Sequence, residues 1–297
     1  MHGVSTSTLR VLEPAEGVLA FYDGRVPGRR LVSPSWNWLD DAAYELGIAS
    51  YALISDGEAL VYDTSISLAH AGVIRRELEH RGARSIRVAL SHHHRDHVAG
   101  TEVFADCPIL SSRKTAQALA EKRDSYARST PPISPLVMPT QVFDGTLTVQ
   151  VGSMTAQLRP LDIHSFDGTA LYLPQTRLLF AGDALEDCAT YVAEPERLSR
   201  HLAELERLQT WDVDAVFPCH GDPDRIAAGG YATSLISATH SYVSRLLRCR
   251  QAPDLADLTL QAFAADSFRT GALIYHEAYD AVHRDNLRAV LEADTSA

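Results

Sequence analysis

Between residues 90 and 100 the chain reads LSHHHRDHVAG, with His92, His93, His94, Asp96 and His97 inside six positions. Histidines this close repel one another when protonated and cost stability when buried without partners. A bound cation would relieve both problems, and imidazole with carboxylate is a donor set that suits zinc. In an extended segment, residues two apart point the same way. His92 and His94 therefore face one ion, and Asp96 and His97, slightly further on, face a neighbouring one. Two protein ligands per ion are too few, because a catalytic zinc usually keeps three and a water. Three other residues close apolar, strand-like runs: His164 in LDIHSFDG, Asp183 in LLFAGDALED and His220 in AVFPCHGD. Strand ends present side chains rigidly into a common cleft, so these three supply the missing ligands. Asp63, Asp162 and Ser91 lie near the ligand runs and are candidates to hold the imidazoles. His93 and Arg95 read as spacers and Cys219 as a packed thiol. His2, His70, His80, His201 and His240 read as ordinary surface or core residues.

The elements that must position these residues can be read from pattern. SYALISDGEALVYDT (50–64) is two β-rich runs around Asp56-Gly57, a hairpin signal. The 67–82 stretch has helical spacing, with Ser67 as N-cap and Gly82 as its stop. SIRVAL (85–90) is a short buried strand, and the histidine motif begins where it ends. A helix is expected over 114–127 and a loop over the proline-rich 129–140. LTVQVG and TAQLRPLDI form a hairpin around Gly152-Ser153, and 168–183 is another strand pair turning near Pro174–Thr176. An amphipathic helix over 194–210 and a strand over 214–222 follow, and the remaining residues are mostly helical. Two mixed β-sheets packed face to face with helices outside satisfy this order, in a single domain spanning 1–297. The 230–297 tail is expected to contribute to the cleft.

The net charge of −11, from 38 acidic and 27 basic residues, argues against nucleic acid as a partner. No apolar run is long enough to span a membrane, and MHGVSTSTLRVLEP lacks the apolar stretch of a secretory signal. Cys107, Cys188, Cys219 and Cys249 are widely spaced and read as free thiols of a cytoplasmic protein. The oligomeric state is left open, an oligomer being allowed.

In order and context, His92-x-His94-x-Asp96-His97, His164, Asp183 and His220 resemble the metal ligands of the metallo-β-lactamase fold superfamily. The resemblance covers most of residues 50–222. It implies an α/β fold, an αββα sandwich of two mixed β-sheets flanked by helices, here with a helical C-terminal extension. It also implies two Zn²⁺ per chain, one on His92, His94 and His164, the other on Asp96, His97 and His220, with Asp183 bridging. Asp96-His97 is kept where the best-known β-lactamase subclass departs, and Asp183 is not a cysteine, so antibiotic hydrolysis is not implied. His94 stands where flavodiiron relatives carry glutamate, which favours hydrolytic zinc over redox iron. Such a centre polarises a carbonyl and activates water, with Asp96 orienting the nucleophile and moving its proton.

Substrate residues are expected around the metals. Trp36 and Trp38 form a candidate aromatic wall, Tyr191 a hydrogen-bond donor to a carbonyl, and Tyr275, His276, Tyr279 and His283 a helical roof. Through WNWLDDAAYELGIASYAL, the histidine motif and the tail, the chain also resembles the zinc-dependent second-ring cyclases of aromatic polyketide pathways, the actinorhodin type. That resemblance implies aldol cyclisation, thioester hydrolysis or both, on a polyketide held by an acyl carrier protein, as in antibiotic biosynthesis. Arg25, Arg29 and Arg30 are then a candidate docking patch. The alternative is a small-molecule hydrolase of the same fold, a lactonase or a glyoxalase-II-like thioesterase, for which Arg245, Arg248 and Arg250 could bind an acidic thiol carrier. A nuclease and a non-enzymatic binding module are disfavoured, the first by the acidic surface and the second by the complete ligand set.

Overall fold

The computed structural model describes residues 3–293; Met1, His2 and residues 294–297 lie outside the described residues. Seven strands form one sheet in sequence order: β1 (Arg10–Ala15), β2 (Val18–Asp23), β3 (Ile48–Ser55), β4 (Glu58–Tyr62), β5 (Ser85–Ala89), β6 (Ile109–Ser112) and β7 (Gln141–Phe143). β1 to β4 pair antiparallel, and β4 to β7 pair parallel. The second sheet holds β8 (Leu147–Val151), β9 (Met154–Pro160), β10 (Thr169–Leu173), β11 (Leu178–Gly182) and β12 (Ala215–Pro218). Its order is β12-β11-β10-β9-β8, with only β11 and β12 parallel.

Local chemistry accounts for the hairpins. Asp56 and Gly57 both have positive φ (53° and 81°), as a two-residue turn matching strand twist requires. The β8–β9 turn uses Gly152 at φ 55° in the same way. The β10–β11 turn closes at Arg177, φ 53°. The N-terminal β1–β2 hairpin, over RVLEPAEGVLAFYD, carries the same Glu-Gly signal at Gly17 but was not among the sequence expectations.

The helices are α1 (Leu68–His80), α2 (Arg95–Val98), α3 (Arg113–Ala127), α4 (Leu198–Leu208) and α5 (Pro223–Ala227). The tail adds α6 (Ser234–Arg248), α7 (Leu260–Phe263), α8 (Ala265–Arg269) and α9 (Tyr279–Glu292). Ser67 caps α1 by accepting from the His70 N–H, and Gly82 follows the helix at φ 89°. Among the described residues no helix is long and apolar enough to cross a membrane. The four cysteines are unpaired.

The sheets meet through aromatic rings. Tyr51 of β3 packs edge-on against Phe180 of β11 and Phe217 of β12, centroids 5.0 and 5.9 Å away. Phe180 and Phe217 stack at 5.0 Å. Two buried phenols cross the interface: Tyr51 donates to the Pro218 carbonyl and Tyr62 to the Thr169 carbonyl. This two-sheet, helix-flanked architecture is the expected α/β sandwich. Because Phe180 touches both partners, truncating it opens a cavity that rigid strands cannot close. Phe180→Ala is expected to lose about 3–5 kcal/mol in urea unfolding; a loss below about 1 kcal/mol would contradict this packing.

Candidate metal centre

Four strand ends converge. The segment after β5 carries His92, His94, Asp96 and His97; β9, β11 and β12 deliver His164, Asp183 and His220. Within one group, the facing atoms of His92, His94, His164 and Asp183 all lie within 4.8 Å of each other. The same holds for Asp96, His97, Asp183 and His220. Asp183 belongs to both. Its Oδ2 is 3.0 Å from His97 Nε2, 3.5 Å from His220 Nε2, and 3.6 Å from His92 Nε2 and His164 Nε2. His94 turns its Nδ1 inward, 2.9 Å from His92 Nε2 and 3.0 Å from His164 Nε2. Asp96 Oδ2 is 3.2 Å from His220 Nε2.

Backbone geometry makes the convergence possible. Gly182 turns the chain at φ 58°, and a Cβ there would sit 3.2 Å from Ser91 Cβ. His164 itself adopts φ 67°, and so does Asp63. For residues with a Cβ this conformation costs on the order of 1 kcal/mol. Such cost persists where surroundings fix the chain, and the strand ends are cross-linked here. Thr169 N–H donates to the Ser91 carbonyl, and Cys219 N–H donates to the Gly182 carbonyl.

The outward ring atoms are tied down. His97 Nδ1–H donates to Asp63 Oδ2 at 2.8 Å, and the Ser91 N–H donates to Asp63 Oδ1. His92 Nδ1 meets Ser91 Oγ at 2.9 Å. His220 Nδ1–H donates to the Gly47 carbonyl at 2.6 Å, and His164 Nδ1–H to the Tyr191 carbonyl at 2.9 Å. In their neutral forms His164 and His220 therefore point Nε2 lone pairs inward. Three imidazole nitrogens face each other around His94, and Asp183 Oδ1 is buried with no hydrogen-bond partner among the described residues. Lone pairs and carboxylates turned on one another are costly unless a cation lies between them. The donor set, with its outward anchors, fits divalent metal, and nitrogen with carboxylate fits zinc.

The two halves differ electrostatically. Burial, reinforced by neighbouring imidazoles, drives His92 well below its usual range and His94 down to about 3. Burial also lowers His164. Burial opposes charge on His97 and His220 as well, but there Asp183, with Asp96, outweighs it and raises both. The nitrogen-rich half is neutral and the other half is an ion-paired cluster.

Asp63 and Ser91 thus sit where support for the imidazoles was expected. Asp162 does not: it pairs with Arg197. His93 turns away to Asp167, 3.0 Å off. Cys219 is buried beside Asp63, burial pushing its thiol up, so it remains a neutral packed group. Among the expected substrate residues, Trp36 is 75% exposed, but Trp38 is buried with its indole N–H on the Pro131 carbonyl. The two tryptophans do not form one wall, because one is largely in solvent and the other is packed inside. Tyr191 is half-exposed, its ring 6.2 Å from that of His164. Tyr275 donates to Asp280, and His276 Nε2 meets the Glu45 carbonyl, so both brace the tail.

The tail, expected as a roof, reaches the metal centre through Glu186 and Asn286, which the sequence did not single out. Glu186, buried, accepts from the Tyr191 N–H and from the Tyr279 phenol of α9. Asn286 of α9 accepts from the Val192 N–H and donates to the Thr190 carbonyl. The tail thereby fixes the peptide whose carbonyl holds His164. Polar Tyr279, His283 and Asn286 on one buried helix stripe were the available signal.

The family model of the metallo-beta-lactamase superfamily matches residues 43–220. This chain belongs to that superfamily. A hydroxyacylglutathione hydrolase of Cereibacter sphaeroides is 29% identical over 147 residues, 47% of this chain and 52% of that protein. One from Rhodobacter capsulatus is 31% identical over 120 residues, 40% of this chain and 41% of that protein. The chain thus spans about half the length, or less, of these curated relatives. A metallo-beta-lactamase from Pontibacter korlensis superposes with a TM-score of 0.61 at 19% identity, covering 80% of this chain and 99% of that one. It confirms the fold expected for a superfamily member.

Asp63 gives the sharpest check on how the centre is held. Asp63→Ala frees the His97 ring and is expected to weaken zinc binding about 10- to 100-fold in competitive chelator titration. Unchanged affinity would show that His97 needs no anchor.

Proposed function

We propose that the chain hydrolyses an acyl thioester at a dinuclear zinc centre. His92, His94 and His164 would hold one ion and Asp96, His97 and His220 the other, with Asp183 available to both. The observation that carries this reading is the shared position of Asp183 Oδ2, within 3.6 Å of an imidazole nitrogen from each half. When bound, such a metal pair supplies Lewis-acid polarisation of a carbonyl and acidification of water near neutral pH.

The chain's own residues supply the remaining functions. Hydrolysis adds water across the C–S bond, so one proton must leave the water and one must reach the departing thiolate. Asp96 is the group placed to move that proton. Its side chain is 17% exposed, against 0–5% for His92, His97, His164, Asp183 and His220, so it faces the cleft. Burial opposes its ionisation, but His97 and His220 hold it as carboxylate, able to accept. Tyr191 presents its phenol on the His164 side and can donate to the thioester carbonyl oxygen. Leu161, Ile163 and Ala184, all buried, line a small cavity beside His92, His164 and Asp183.

The similarity to hydroxyacylglutathione hydrolases supports a small-thiol thioester as substrate. The carrier-protein polyketide has less support. Trp38 is unavailable as half of a flat wall. Arg25 donates to the Leu46 and Asp187 carbonyls, Arg30 pairs with Asp41, and Arg29 bonds Ser5 and Ser7, so the expected docking patch is spent on internal contacts. The basic tail cluster is also partly engaged: Arg245 lies over the Phe263 ring and Arg250 donates to the Val290 carbonyl.

Zinc-loaded protein should release free thiol from S-acylglutathione or S-acyl-N-acetylcysteamine, read with a thiol-reactive dye. Removing metal with a chelator should abolish release and zinc should restore it; chelator-resistant release would refute the centre. Tyr191→Phe should lower kcat/KM about three- to tenfold, the worth of one hydrogen bond. No change would remove Tyr191 from substrate binding.

A further inference from the structure

A second cluster lies behind the His164 segment. Asp162 Oδ1, Glu194 Oε2 and His201 Nε2 are buried and have no hydrogen-bond partner among the described residues. One ligating atom from each of these residues lies within 4.8 Å of the other two. Asp162 follows β9, Glu194 precedes the short turn Pro195–Arg197, and His201 projects from α4 at 2% exposure.

We propose that Asp162, Glu194 and His201 form a third divalent-cation site, for zinc or a similar first-row metal, distinct from the pair around Asp183. Asp162 is arranged as a metal-ligating carboxylate usually is, with one oxygen anchored and the other unpartnered, whereas Glu194 Oε2 is shared with Arg197 Nε, 3.0 Å away. Asp162 Oδ2 accepts from Arg197 Nη2 and lies 3.6 Å from Arg200 Nε. Glu194 Oε1 accepts from the Phe166 N–H at 3.2 Å. Each of the three residues nonetheless brings one ligating atom within 4.8 Å of the other two. Burial lowers His201 to about 4, so its ring is neutral and able to ligate at physiological pH. Two carboxylates and one neutral imidazole balance a divalent cation, and imidazole disfavours magnesium and calcium.

The local cations limit affinity. Arg197 Nε lies 3.0 Å from Glu194 Oε2 without hydrogen-bonding it, and Arg200 is partly exposed nearby. Their charge makes this site weaker than the centre at Asp183. Asp162 and Glu194 are 12% and 16% exposed, which leaves an entry path from solvent. Asp162 lies two residues before His164, and Phe166 two after, so a bound ion would tie the His164 loop to α4. A water molecule could satisfy the same atoms, and the test separates the two.

Full-length protein stripped with chelator is titrated with zinc by equilibrium dialysis into the micromolar range, beside His201→Leu and Glu194→Gln. The expected result is one equivalent more in the parent than in each variant, with the variants keeping the tighter equivalents. Equal stoichiometry in all three chains overturns the proposal and leaves ordered water as the occupant. An extra equivalent retained by both variants overturns it too, because the ion then binds elsewhere. Should His201→Leu fail to fold by circular dichroism, Glu194→Gln alone decides.

Discussion

A buried carboxylate that must be shared organises this molecule. Asp183 Oδ2 stands within hydrogen-bonding or near-contact distance of imidazoles from three separate segments. Removing a carboxylate and several imidazoles from water costs several kcal/mol per charged group unless each is paired or ligated. The cost is met here by mutual pairing in one half, by neutral imidazoles in the other, and by anchoring the outward nitrogens of His92, His97, His164 and His220. A divalent cation at its centre would make the arrangement favourable.

Holding such a cluster demands rigidity. The two sheets place four strand ends at one edge, and the Tyr51 and Tyr62 phenols tie the sheets together beside it. The left-handed backbone at Asp63 and His164 is tolerated because hydrogen bonds on both sides fix it. The helical tail adds a further brace. Through Glu186, Tyr279 and Asn286 it holds the loop whose Tyr191 carbonyl orients His164. A region remote in sequence therefore helps to set the direction of one imidazole.

Much of this could be read from the chain because the chemistry is local and periodic. His92, His94, Asp96 and His97 sit in one short segment after a buried strand. His164, Asp183 and His220 each end an apolar run, and hairpins announce themselves by Asp-Gly or Gly-Ser. What escaped the reading depends on main-chain atoms or on distance. The Gly47 and Tyr191 carbonyls leave no residue-type signature, because every residue carries a carbonyl. Trp36 and Trp38 look like a pair by spacing, yet Trp36 is exposed while Trp38 is buried against Pro131. His201 looked like a lone histidine because Asp162 comes from another part of the chain and Glu194 lies before the start of α4 rather than on its His201 face.

The most direct test of the central claim is anomalous X-ray diffraction at the zinc edge from crystals of the zinc-loaded chain. The account predicts two adjacent peaks flanking Asp183 Oδ2, one coordinated by His92, His94 and His164, the other by Asp96, His97 and His220. A single peak at this centre, or two peaks that do not share Asp183, would contradict it.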